Sequence, residues 1–398
     1  MPPLTKSELL DSELVQARKV HDAFRRVYGE TPSLFCSPGR VNLIGEHTDY
    51  NEGFVLPAAV DKAIYFAVAP APGSTCTLRA VDLDESWDFD LDLIAPSERR
   101  WPNYLIGVVD QFLKTGARVG AFRCAFGGDV PIGSGMSSSA AIEAGLAFAL
   151  NRLFGLGFNS LDLVKLAQKA ENEFVGVRCG IMDQFANIFG RPASVLKLDC
   201  RSLSHAYYPF DRSDLRIVLC DTRVKRELAS SEYNVRRGQC EAGVRALARH
   251  DPSLRSLRDV PWGLLHEYRA ELDPVVFRRC DYVIRENGRV EAACGDLEKG
   301  DFNAFGRRMF ASHEGLRDDY EVSCRELDVL VEAASAVSGV LGARMMGAGF
   351  GGCTINLVED GAVDELAQAA AKAFRDALDR DPAVYISQLR SGTREISI

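Results

Sequence analysis

Residues 131–141 read P-I-G-S-G-M-S-S-S-A-A: two glycines, three consecutive serines, then the start of an apolar run. Glycines let a backbone approach a ligand closely, and a helix that starts immediately afterwards offers unpaired N–H groups at the positive end of its macrodipole. The hydroxyls of Ser137, Ser138 and Ser139 add groups able to bind phosphate oxygens or a magnesium ion. A helix N-terminus is a sufficient anion site without a lysine. The familiar phosphate motifs do not fit: a Walker loop needs a lysine where Met136 and Ser137 stand, and a dinucleotide fingerprint needs a third glycine where Ser138 stands. A plainer reading stays open, in which a glycine turn is followed by serine caps on a core helix.

Three further stretches hold groups suited to chemistry. "SPGRVNLIGEHTDYNEGFVLP" (37–57) places Arg40, Asn42, Glu46, His47, Thr48, Asp49, Tyr50 and Asn51 together, between apolar "SLFC" and "VLPAAV". Read as a polar loop wedged between apolar runs, it needs partners for its polar groups. Carboxylates, imidazole and guanidinium packed together suit a ligand dense in hydroxyls. "RCGIMDQFANIFG" sets Asp183 just after Gly180 among apolar residues, as a helix cap or a catalytic acid/base. "MMGAGFGGCTINLV" is a glycine loop that runs into a strand, either a tight turn or a lid over a ligand.

These groups need a scaffold, and its elements show in the periodicity. Leu10, Leu14, Ala17, Val20, Phe24 and Val27 recur at helical spacing and predict an amphipathic helix over 8–28. Strands are expected at "AIYFAVAP", "TCTLRAV", "WDFDLDL" and "AFRCAF", with a helix over 102–114 before the last of them. The run 138–154 is helical and almost wholly apolar, hence buried. Helices follow over 160–175 and 181–189, then strand "SVLKLD", an irregular stretch to Asp214, and strand "RIVLC". Helical patterns cover 231–249, 274–294, 299–311 and 324–338, and "TINLV", a helix over 362–379 and "AVYIS" complete the chain. Two mixed halves, 1–205 and 206–398, give an α+β class; with no long linker between them, they are expected to pack closely.

Composition narrows the setting. The chain has 398 residues and a formal net charge of −9, an acidic balance that argues against a nucleic-acid surface. The polar opening "MPPLTKSELLDSELVQARK" resembles neither a signal peptide nor an anchor, and no apolar run approaches the ~18 residues of a membrane span. Eleven scattered cysteines without a C-x-x-C are expected to be buried free thiols in a reducing, cytoplasmic setting.

Taken together and in this order, the four stretches resemble the GHMP kinase superfamily and, within it, the galactokinases. The resemblance runs from about Ser33 to Cys353. "GRVNLIGEHTDYN" matches the galactokinase signature, "PIGSGMSSSA" the ATP loop and "GAGFGGC" the third superfamily motif. Met136 stands where leucine is more usual, and Ala141 where many relatives have serine.

The resemblance implies a two-domain fold with the active site in the cleft between the domains. It implies ATP bound along Gly133, Ser134, Gly135, Met136, Ser137, Ser138 and Ser139, with Trp101 in the adenine pocket. Ser139 and Glu171 resemble the Mg²⁺ ligands, and Arg40 and Asp183 the catalytic pair. Glu46, His47, Thr48, Asp49, Gly180 and Tyr233 would line the sugar site together with that pair. The implied reaction passes the γ-phosphoryl group of ATP to the anomeric hydroxyl of α-D-galactose. No nucleic-acid or membrane partner is expected, and the expected assembly is a monomer or weak homodimer. Two rivals share the fold: a kinase for N-acetylgalactosamine or another sugar, and a catalytically silent galactose sensor. Asn51 after "HTDY" fits galactokinases better than acetylamino-sugar relatives, and the intact serine loop with Asp183 speaks against a sensor.

Overall fold

The computed structural model describes residues 6–131, 133–224 and 229–398, without the side chains of 6–12 and 229–231. In chain order it comprises α1 (Lys6–Tyr28), β1 (Ser33–Asn42), β2 (Phe54–Val55), β3 (Pro57–Pro70), β4 (Thr75–Ala80), β5 (Glu85–Asp90), α2 (Arg100–Lys114), β6 (Phe122–Gly128), α3 (Ser138–Leu153), α4 (Ser160–Lys169) and α5 (Met182–Phe189). There follow β7 (Ser194–Asp199), β8 (His205–Pro209), β9 (Leu215–Asp221), α6 (Ala229–Leu247), α7 (Trp262–Glu267), α8 (Pro274–Glu298), α9 (Phe302–Glu314), α10 (Arg325–Ser335), β10 (Val340–Met345), β11 (Cys353–Glu359), α11 (Val363–Leu378), β12 (Ala383–Ser387) and β13 (Arg394–Ile396).

Local chemistry sets several boundaries. Asn159 opens α4 with a reciprocal capping box to Asp162. Asp273 caps α8 by accepting from the N–H groups of Val275 and Val276, with Pro274 at the first helical position, where its missing N–H costs nothing. The apolar run behind the serines forms α3, with Ala140, Ala144, Ala147 and Leu150 all buried.

Three sheets carry the fold: a six-stranded one in the order β13-β1-β3-β6-β4-β5, a four-stranded one in the order β10-β11-β9-β12, and a three-stranded one in the order β2-β7-β8. Within the six-stranded sheet only the β4–β6 pair is parallel. Helices α3 and α5 pack on β1 and β3, so the serine loop and Asp183 approach the same strand. The three-stranded sheet straddles residue 205, and β13 returns to pair Leu34, Phe35 and Cys36.

Several expectations are corrected. The segment read as a polar loop at 37–42 is the second half of β1, which pairs Arg40 with Ala59 and Asn42 with Pro57 after a bulge beyond Pro38. Its polar side chains defeat a pattern reading because their partners come from distant elements: Ser37 Oγ donates to the carbonyl of Ala141 at 2.7 Å. Strand β8 occupies the stretch expected to be irregular, and β10 and β13 are strands without an expected counterpart. On α1, Ala17, Val20 and Phe24 are buried as expected, whereas Val27 is exposed; Leu10 lies among the residues whose side chains are not described. None of the eleven cysteines forms a disulfide, and eight of them are buried. Among the described residues, no helix is long and apolar enough to cross a membrane.

Candidate active site

A cleft of about 1070 Å³ opens between the two halves of the chain. The first half supplies the serine loop, Arg40, Asp49 and Asp183; the second supplies Tyr233, Gly347, Ala348 and Tyr385.

Gly133 and Gly135 take left-handed backbone angles, φ 80° and 89°, which turn the chain from β6 into α3. Ser137 is the N-cap of α3 but makes no side-chain cap. Its hydroxyl donates instead to Asp183 Oδ2. The capping alternative is therefore not what is found, and the first turn of α3 faces the cleft with no side-chain cap, as a phosphate site requires. Ser138, Ser139 and Met136 also line the cleft. Ser134 does not: its hydroxyl donates to the Pro131 carbonyl at 2.8 Å and braces the loop from behind. The Met136 carbonyl accepts the backbone N–H of Arg40 at 3.1 Å, stitching the loop to β1.

Arg40 and Asp183 form a fork-to-carboxylate pair, Nε to Oδ1 at 2.7 Å and Nη2 to Oδ2 at 2.8 Å. Arg40 Nη1 donates to the Gly135 carbonyl. Burial opposes the guanidinium's charge, but the Asp183 and Glu46 carboxylates outweigh it and raise the Arg40 pKa further. Three of the five guanidinium hydrogens are thus engaged, leaving two for a ligand. Asp183 sits in the first turn of α5 with its side chain 28% exposed, while that of Arg40 is 5% exposed, so the carboxylate is the member open to solvent.

The signature segment beyond β1 folds into a buried turn. His47 adopts φ 62°, a strained conformation for a residue with a side chain. Its Nδ1 lies 2.8 Å from Tyr50 Oη, and its ring packs against Tyr233 and Tyr320. Burial, reinforced by the Arg236 charge, drops the His47 pKa to about 3, so the ring is neutral. Glu46 Oε1 accepts from Arg344 Nη2 at 2.9 Å and from the Gly347 N–H at 2.7 Å, tying the signature to the glycine loop of the second half. Thr48 is turned away from the cleft; its Oγ1 lies 2.9 Å from the Gly45 carbonyl and 2.6 Å from that of Phe54. Asn51 also serves the turn, donating to the His47 carbonyl at 2.8 Å.

Asp49 faces Asp183 across the cleft, and burial together with that like charge raises its pKa to about 7. Gly180 makes room for it: a β-carbon at 180 would lie 1.8 Å from Asp49 Oδ2.

Glu171 and Ser139 also share the cleft wall. Glu171 lies in a π-helical continuation of α4, residues 170–175, an irregularity that often re-aims a functional side chain. Burial raises its pKa, aided by Asp183 and opposed by hydrogen bonding from Cys179 and Ser139. Among the described residues, no group of three or more His, Cys, Asp or Glu side chains forms a ready-made metal cage. A magnesium-like ion needs none, since it is commonly held by one or two protein oxygens together with waters and substrate phosphates. The oxygen donors of Ser139 and Glu171 beside the glycine–serine loop fit that pattern. Trp101, at the start of α2, lines the same cleft, lies against Phe126 and donates from Nε1 to Glu85 at 2.7 Å.

Three family models match along the chain: the galactokinase galactose-binding signature over 22–70, the GHMP kinase N-terminal domain over 103–191 and the GHMP kinase C-terminal domain over 293–376. A galactokinase of Roseiflexus sp. strain RS-1 is 41% identical over 384 residues, covering 96% of this chain and 98% of that relative. The chain belongs to the galactokinase family. The fold is that of the two-domain GHMP kinases, and the crystal structure of Lactococcus lactis galactokinase complexed with galactose superposes with a TM-score of 0.90 at 34% identity, over 95% of this chain and 99% of that one. The Methanococcus jannaschii mevalonate kinase shares the fold alone, with a TM-score of 0.61 at 18% identity. Galactokinases are ATP-dependent phosphotransferases that generally use a divalent metal, with galactose and ATP as small-molecule substrates, and neither rival reading is favoured by these relatives.

Several residues at the galactokinase cleft carry no expectation from sequence. Arg344 is fully buried and bridges β10 to the carbonyls of Asn42 and Leu43 as well as to Glu46. Asn187, one turn beyond Asp183, donates to the Pro38 carbonyl and holds α5 against β1. Glu143 and Gln184 are buried beside Glu171. The only sequence signal for these residues is polarity inside an apolar helix or strand.

Proposed function

We propose that Asp183 accepts the proton of the anomeric hydroxyl of galactose as that oxygen attacks the γ-phosphate of ATP, with Arg40 stabilising the transferring group. In-line phosphoryl transfer demands positioning and charge stabilisation more than covalent chemistry. The observation that carries the reading is the Arg40–Asp183 pair at the mouth of the phosphate loop. Asp183 Oδ2 already accepts from Arg40 and Ser137, whereas Oδ1 has Arg40 alone and keeps a lone pair for a sugar hydroxyl. Arg40 keeps two N–H hydrogens for phosphoryl oxygens.

Ser139 and Glu171 would hold Mg²⁺, which neutralises nucleotide phosphate charge when bound. Glu46, His47, Asp49, Gly180 and Tyr233 would surround the sugar; Asp49 offers acceptors, and neutral His47 and Tyr233 shape the wall. Trp101 would face the adenine. The first turn of α3 would bind phosphate through its N–H groups. Eleven cysteines without a disulfide among them support work in the cytoplasm.

The test is a comparison of kcat/KM for galactose, glucose and N-acetylgalactosamine on one preparation. A site built to hydrogen-bond one hydroxyl rejects an analogue lacking that bond by roughly 10⁴–10⁵-fold. Glucose retains a hydroxyl at the 4-position in the other orientation, so the expected preference for galactose is smaller but large. Asp49→Ala should lose most of that discrimination. N-Acetylgalactosamine as the best substrate would make the chain a kinase for that sugar instead.

A further inference from the structure

Gln184 follows Asp183 directly on α5 and is fully buried. Its amide nitrogen serves two carboxyl groups from other elements, Glu171 Oε2 at 2.8 Å and Glu143 Oε2 at 3.3 Å. Cys179 Sγ adds a weaker contact to the same Glu171 oxygen at 3.3 Å. The remaining amide oxygen of Gln184 and Glu143 Oε1 are buried without a partner. Unsatisfied buried polar groups are costly, and an apolar side chain at 184 would avoid burying the unpaired amide oxygen of Gln184. The arrangement has a geometric effect instead. The π-helical turn frees Glu171 from the α-helical repeat, so its carboxylate orientation is set by what it touches: Gln184 at 2.8 Å, together with Cys179, Ser139 and Glu143.

We propose that Gln184 is a positioning residue that aims the Glu171 carboxylate at the divalent cation from the same helix that presents Asp183. This rests on the reading of Glu171 as a metal ligand. Outer-shell hydrogen bonds of this kind orient ligands, and their loss typically weakens metal affinity by about 10–100-fold. Because Asp183 and Gln184 are adjacent on α5, a shift of that helix displaces the proton acceptor and the ligand's support together, and the Asn187 anchor to β1 keeps both in place.

The experiment uses Gln184→Met, which keeps the side-chain volume and removes both donors, with Gln184→Leu as a second variant. Mn²⁺ binding to the full-length protein with ADP is measured by electron paramagnetic resonance titration. Galactose affinity without nucleotide is measured on the same preparations. The expected result is Mn²⁺ affinity lowered about 10–100-fold with galactose affinity within twofold of the parent. Glu171→Gln, run in parallel, separates the two readings. If it weakens Mn²⁺ and the Gln184 variants do not, the positioning role is wrong while the metal assignment stands. If Glu171→Gln leaves Mn²⁺ binding unchanged, the metal assignment falls and the proposal with it. Parallel loss of galactose affinity in both Gln184 variants would make the residue a support of the fold only, and would also overturn it.

Discussion

The Arg40 guanidinium grips Asp183 edge to edge, with Nε 2.7 Å from one carboxylate oxygen and Nη2 2.8 Å from the other. Asp183→Asn keeps the shape and removes the proton acceptor. General-base catalysis is typically worth about 10²–10⁴-fold, so kcat should fall by at least that range while galactose binding, measured by calorimetry, persists. Arg40→Lys keeps the charge but loses the planar fork, and should also lower kcat. Near-normal turnover from a folded Asp183→Asn protein refutes the assignment.

Ser139→Ala removes one oxygen from the wall where Glu171 stands. The Mg²⁺ concentration for half-maximal rate should rise and ATP use weaken, while galactose affinity without nucleotide stays nearly the same. Unaltered magnesium dependence with collapsed galactose binding would make Ser139 a structural residue.

Gly180→Ala forces a methyl group onto the Asp49 carboxylate, 1.8 Å from Oδ2. Either the carboxylate or the segment carrying residue 180 must move. The expected outcome is a rise in KM for galactose of tenfold or more (order of magnitude) with little change in KM for ATP, since an interaction lost equally from ground and transition states raises KM without altering kcat. Equal loss for both substrates would show a wider collapse of the cleft.

Asp49 gives the site a pH signature. Its carboxyl keeps the proton to about pH 7 in the folded chain, against 3.8 when unperturbed. Between those values the native state binds more protons than the unfolded one, so this group's contribution to stability is full below about pH 3.8 and is lost as pH rises through 7. Asp49→Asn should therefore raise Tm more at pH 8 than at pH 5. As the ionised form is the stronger acceptor for sugar hydroxyls, kcat/KM for galactose should fall below pH 7 in the parent. A Tm gain that is the same at both pH values would contradict the shift.

Most of this architecture is legible in the sequence wherever one side chain's surroundings are made by its own segment. The apolar run of α3, the strand "TINLV" and the amphipathic α11 follow from periodicity, and their observed bounds differ from the expected ones by a residue or two. Arg40 shows where that stops. Its strand reads as a loop because the groups that satisfy it, Asp183 and Gly135, lie 143 and 95 residues away. Thr48 and Ser134 mark the opposite failing: they belong to motifs that resemble ligand-binding stretches, yet their hydroxyls close turns within the chain. A motif fixes which residues arrive together, whereas only the backbone's path decides which of them face the ligand. Glu143 and Gln184 are illegible for a third reason. Each is a buried polar residue among apolar neighbours, and their pairing depends on the approach of α3 to α5.

The return of β13 to β1 makes the order of synthesis matter. Thr393, just before β13, donates its N–H to the Asn187 carbonyl at 2.9 Å, and its hydroxyl also meets the Asn187 side chain. The helix that bears Asp183 is therefore fastened by residues synthesised after all of those that line the cleft. While the N-terminal segments wait for that strand, β1 has an open edge beside Leu34, Phe35 and Cys36, and unpaired edges are where growing chains associate wrongly. A nascent chain stopped short of residue 393 would hold every side chain assigned here to galactose and ATP, and still lack the clasp that keeps α5 on the sheet.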